Sequence, residues 1–185
     1  MASCKMYVTK KFDLQTYAKP KTKEEYRVLI NKKKVFKNSN VLYIDSVCYA
    51  KFLREKYFST PSPILIGCFA NDSLLCKKSK DFYSNTSCVM KIEKEVEACL
   101  LNDSTSLTTE VALPKLSTYS FRWLQNDSAF KFENKNNGAI VLLAISFKFG
   151  TYYDELFERI KMLSNKINGG VSIYFIIIDP LYKLK

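Results

Sequence analysis

Lysine is the residue whose placement suggests chemistry first. Residues 1–62 hold 12 Lys and 2 Arg against 5 acids, whereas residues 63–185 hold 13 Lys and 2 Arg against 13 acids. The formal net charge of +11 therefore sits mostly in the first third of the chain. There, cations and rings interleave: Tyr7, Lys10, Lys11 and Phe12, then Tyr17, Lys19, Lys21, Lys23, Tyr26 and Arg27, then Lys32, Lys33, Lys34, Phe36 and Lys37. Ammonium groups that meet phosphates release counterions, and aromatic rings stack on unpaired bases. The candidate nucleic-acid-binding set is thus Lys10, Lys11, Lys19, Lys21, Lys23, Arg27, Lys32, Lys33, Lys34 and Lys37. The competing reading is a solvated basic face whose aromatics belong to the core.

The cation is nearly all Lys; the only arginines are Arg27, Arg54, Arg122 and Arg159. Arg makes the bidentate contacts that read guanine, so a Lys surface implies sequence-independent attraction. High Lys over Arg with many Asn is also what the codon bias of an AT-rich genome produces, as in large DNA viruses and some protists. An acidic protein is the other partner that such charge would attract.

Catalytic chemistry has little to work with. The chain contains no His, which removes Ser-His and Cys-His nucleophile pairs and every imidazole acid, base or metal ligand. The five glycines, 67, 138, 150, 169 and 170, form no phosphate loop or dinucleotide fingerprint, and Gly150 is read as a turn residue. Asp127 with Glu133-x-Lys135 has the acid and acid-x-Lys elements of a magnesium nuclease, but residues this common make such a match by chance. Glu93, Glu95 and Glu97 read as a wet sheet face, and Asp154, Glu155 and Glu158 as acids favoured near a helix start. The expectation is a binding protein that is not an enzyme, without cofactor or metal. A second function class is a protein–protein accessory factor acting through a sheet edge or through Tyr119, Phe121 and Trp123, with inward packing of these rings as the rival.

Compartment follows from cysteine usage and hydropathy. Cys4, Cys48, Cys68, Cys76, Cys88 and Cys99 include no C-x-x-C pair, and the start MASCKMYVTKKF lacks the apolar stretch of a secretory leader. Reduced thiols in a cytoplasmic or nuclear protein are expected. The longest apolar run, Ala139–Phe147, is about half of the ~20 residues that a spanning helix needs, so no membrane partner is expected.

These residues need elements to position them. A chain of 185 residues suits one domain, here 1–185, with the basic segment 1–62 packed on it. Residues 5–18 and EEYRVLINKKKVF read as strands, VLYI as another, and a helix follows, capped by Asp45 or Ser46, with Tyr49, Phe52, Leu53 and Tyr57 on one face. Strand-like segments run from Ile64 to Phe149, of which MKIEKEVEACL alternates most clearly; Asn-Asp-Ser at 71–73, 102–104 and 126–128 reads as turns. NKNNG at 134–138 signals a hairpin into AIVLLAISF. An amphipathic helix over TYYDELFERIKMLSNKI, with a Thr151/Asp154 capping box, ends at Asn168-Gly169-Gly170 and leads to VSIYFIIID. Two strands apolar on both faces and joined by one helix make a parallel, right-handed βαβ unit. The expected fold is α+β: an antiparallel-rich sheet with two helices on one face, including this C-terminal βαβ unit.

Overall fold

The structure, a computed structural model, describes residues 21–57, 65–70, 73–74, 116, 118–132, 139–166 and 170–181. Among these residues seven strands form one mixed sheet: β1 (Asn40–Ile44), β2 (Leu65–Ala70), β3 (Ser73–Leu74), β4 (Phe121–Trp123), β5 (Ala129–Phe130), β6 (Ala139–Ile145) and β7 (Val171–Ile177), in the order β3-β2-β6-β7-β1-β4-β5. The expected C-terminal βαβ unit is present. β6 and β7 pair in parallel from Ala139↔Val171 to Ile145↔Ile177, joined by α3 (Asp154–Lys166). β1 extends the parallel centre by pairing with β7, and antiparallel strands flank it on both sides.

Helices cover both faces, not one. On one face lie α1 (Lys23–Lys32), a 3₁₀ turn at Lys34–Phe36 and α3, packed over Val41, Tyr43, Val141, Leu143, Phe175 and Ile177. On the other, α2 (Ser46–Phe52) sets Phe52 against Leu42, Ile44, Phe121, Leu142 and Ile176. β1, β6 and β7 are apolar on both sides, so one covered face would leave the other in water.

The strand expected over EEYRVLINKKKVF is instead α1 and the 3₁₀ turn. The cause is a capping box. Thr22 Oγ1 accepts from the Glu25 N–H at 3.2 Å, and the Thr22 N–H donates to Glu25 Oε2 at 2.7 Å. These hydrogen bonds hold the Glu25 carboxyl below its usual range. Tyr26 and Ile30, one turn apart, then bury together.

Three further expectations are corrected. Asp45 sits at the N-cap of α2 but makes no side-chain cap bond; its carboxylate lies 3.5 Å from Arg122. Asp154 forms no capping box with Thr151 and gives both carboxylate oxygens to Lys33. β5 and β6, read as a hairpin, are not neighbours: β5 is an edge strand, while the doubly apolar β6 takes a central place. The third Asn-Asp-Ser is a turn, with Asp127 at φ 63° and the Ser128 N–H donating to Asn126 Oδ1 at 3.1 Å. Of the first, Asn71 and Asp72 lie outside the described residues, while Ser73 opens β3 and pairs antiparallel with Ala70 of β2; the second, the strand over 5–18 and MKIEKEVEACL lie outside them. Among the described residues, no helix is long and apolar enough to cross a membrane.

Candidate functional site

The basic segment divides into lysines that hold the fold together and lysines that face water. Lys23 donates to Asp127 Oδ2 at 2.8 Å and sits 5.1 Å from the centre of the Tyr43 ring. Arg27 Nε donates to the Leu124 carbonyl at 2.6 Å, while its Nη1 meets Glu24 at 3.0 Å. Lys33 Nζ donates to the Gly150 carbonyl and to both Asp154 oxygens. Lys21 joins Leu181 in an isolated parallel bridge, its N–H donating to the Pro180 carbonyl at 3.3 Å. The first three tie α1 and its exit to β4, the β4–β5 turn and the start of α3.

Lys32, Lys34 and Lys37 are exposed, and among the described residues their ammonium groups make no hydrogen bond or ion pair. Their neighbours explain the orientation. Val35 and Phe36 are 3% and 4% exposed, and the Phe36 ring packs on Phe157 and Phe175, so the lysines on either side turn outward. Lys161, crossing from α3, donates to the Val35 carbonyl at 2.8 Å and the Lys37 carbonyl at 3.4 Å. It fixes the backbone that carries the exposed ammonium groups and adds a fourth charge beside them. Lys10, Lys11 and Lys19 lie outside the described residues.

Of the rings that alternate with these cations in sequence, Tyr7, Phe12 and Tyr17 lie outside the described residues, and Tyr26 and Phe36 are buried. Tyr26 is fully buried, its hydroxyl donating to the Pro180 carbonyl at 3.1 Å, and burial raises its pKa well above the ordinary phenol value. A different set of rings stands beside the basic segment. After β6 the chain makes a 3₁₀ turn at Phe147–Phe149 and then passes through Gly150, at φ 54° and ψ −118°, a conformation that suits only glycine. Phe149, Tyr152 and Tyr153 are half-buried and pack edge to face, with centroids at 5.1 Å (Phe149–Tyr153) and 4.8 Å (Tyr152–Tyr153). Lys148 Nζ lies 4.7 Å from the centre of the Phe149 ring. Burial, with Tyr152 adding to it, pushes the Tyr153 phenol up to about 12. The contact of Lys33 with Gly150 and Asp154 joins this aromatic turn to the basic segment.

Beneath the turn, Asp179 follows β7 and is 4% exposed. It accepts from Ser146 Oγ at 2.5 Å and from the Phe147 N–H at 2.6 Å. Burial raises its pKa, although these hydrogen bonds and the charges of Lys148 and Lys21 favour the ionised form. The cleft between Lys33, Gly150, Tyr153 and Asp154 offers a cavity of only about 10 Å³, room for roughly one water and not for a small-molecule substrate.

Of the aromatic candidates, Tyr119 and Phe121 are core residues, 4% and 1% exposed. Phe52 meets both edge to face, and Tyr119 donates to Glu55 Oε2 at 2.9 Å. Burial, then this bond, pushes the Tyr119 phenol up to about 12. Trp123 is half-buried on the same sheet face, 4.9 Å from Phe130 and 6.2 Å from Tyr174. Asp127 is a turn residue paired with Lys23, and Glu133 and Lys135 lie outside the described residues. Among the described residues, no three Cys, Asp or Glu side chains gather as a metal site. Comparisons with protein families, with characterised proteins and with solved structures find no match to this chain.

Proposed function

We propose that this protein binds an anionic polymer, with nucleic acid as the leading candidate, and is not an enzyme. The observation that carries the proposal is the outward presentation of Lys32, Lys34 and Lys37 on a segment buttressed by Lys161. Ammonium groups held on a fixed backbone approach phosphates without ordering a loop first, and Lys contacts do not read base sequence. The test is fluorescence anisotropy of a labelled oligonucleotide titrated across a salt series. Affinity should fall steeply with salt, and Lys32→Glu/Lys34→Glu/Lys37→Glu should flatten the log–log slope by about 2–3, since each lost phosphate contact removes about 0.7–0.9. No binding at low salt, or binding indifferent to salt, would sink the proposal.

A second reading, a protein-interaction accessory factor, is favoured by one observation: Trp123, Phe130 and Tyr174 form a contiguous half-buried aromatic cluster. Tyr and Trp suit interface anchors. Co-purification of a stoichiometric protein partner that survives nuclease treatment and is lost in Trp123→Ala would favour it over the first.

A further inference from the structure

Over the described residues 21–37 the lysine segment supplies charge without exposed rings, because Tyr26 and Phe36 are 0% and 4% exposed. The fold supplies rings from elsewhere. Phe149 and Tyr152 are half-buried on the turn that follows β6, and Lys33 bonds the Gly150 carbonyl within that turn. Lys148 stands over Phe149, so the aromatic turn carries its own cation. It also lies at the carboxyl end of β6, the end of a parallel sheet where ligands of open α/β sheets bind.

We propose that the turn 147–153 is a base-stacking platform and that the anionic ligand of the lysine segment is single-stranded nucleic acid. The inference rests on the polyanion reading above and narrows it. Duplex bases are already stacked on one another and offer no face to a protein ring, whereas a single strand offers one at every base. Phosphates would track Lys32, Lys34 and Lys37 while neighbouring bases reach Phe149 and Tyr152.

The experiment compares labelled oligothymidylate with a mixed-sequence duplex of equal length, titrated with the intact protein. The single strand should bind about tenfold more tightly at equal salt. Phe149→Leu/Tyr152→Leu, which keeps apolar bulk, should weaken single-strand binding by about tenfold, while its salt slope stays that of the wild type because no charge is lost. Photocrosslinking of a bromodeoxyuridine strand to the wild-type protein checks the same point without a substitution, and the adduct should map to residues 147–153. Equal affinity for duplex, an unaffected double variant or crosslinks confined to other peptides would overturn this inference and leave the polyanion reading standing. Failure to bind any oligonucleotide at low salt would overturn both.

Discussion

The ammonium of Lys33 lies 2.8 and 3.0 Å from the two carboxylate oxygens of Asp154, in the middle of three consecutive lysines whose outer members face solvent. Both side chains are largely covered, 20% and 28% exposed, so the pair works in partial shelter from water. One basic run thus divides into a structural lysine and two free ones, and the two roles are separable. Lys33→Met keeps the apolar stem and strands the Asp154 carboxylate. It is expected to lower stability by about 1–2 kcal/mol, read from urea midpoints, and to weaken nucleic-acid binding less than loss of the outward lysines does. Lys34→Glu/Lys37→Glu should keep stability within about 0.5 kcal/mol of wild type, weaken binding further and flatten its salt slope by about 1.4–1.8.

Gly150 should tolerate no side chain. At φ 54° and ψ −118°, an alanine would strain the backbone and shift the carbonyl that Lys33 holds. Gly150→Ala is expected to cost about 1–3 kcal/mol. Gly170→Ala, at φ 77° with no neighbour within 4 Å of an added Cβ, should carry only the local backbone cost of about 1–2 kcal/mol. Thermal melts of the two variants give the comparison.

Asp179 should give the fold an acid response opposite to that of an ordinary salt-bridged carboxylate. Burial raises its folded pKa, so between the usual aspartate value and that raised value the folded chain holds a proton that the unfolded chain has released. Stability from this group is therefore full below the unfolded pKa and declines as pH rises through the folded one. The stability of wild type relative to Asp179→Asn should fall on going from about pH 4 to pH 7. Denaturant titrations at several pH values measure it, and a rise over that range would show that Ser146 and Phe147 outweigh burial.

Phe121→Ala should be among the costliest substitutions, about 3–5 kcal/mol, because Phe52 and Phe132 meet the ring at 5.7 and 5.1 Å and no water reaches it. Trp123→Ala, on the half-buried part of the same face, should cost less and leave a folded protein. Denaturation followed by circular dichroism separates the two.

Much of the central architecture is legible in the residues themselves. AIVLLAI and VSIYFII are apolar on both faces around one amphipathic segment, and that pattern has a single economical solution, a parallel pair with a helix across it. α1 was legible too, in Thr22-x-x-Glu25, but the β-branched Val28 and Ile30 and the lysines after them imitate a strand. The fate of the cations was not legible. Lys23 finds Asp127 at 104 residues' separation and Lys33 finds Asp154 at 121, and no local pattern encodes partners so distant. The aromatic turn was hidden for the same reason. Nothing near Phe149 or Tyr152 in sequence announces the lysine segment that Lys33 brings to them.

The position of β1 has a consequence for synthesis on the ribosome. Its parallel neighbour is β7, and Asn40 donates its side-chain amide to the Ile173 carbonyl across 133 residues of chain. At an elongation rate of about 5–20 residues per second, the nascent strand Val41–Ile44 waits on the order of ten seconds for its mate. Through that interval an apolar segment is exposed to chaperones, and maturation of this protein should be more sensitive to their depletion than its size alone would suggest.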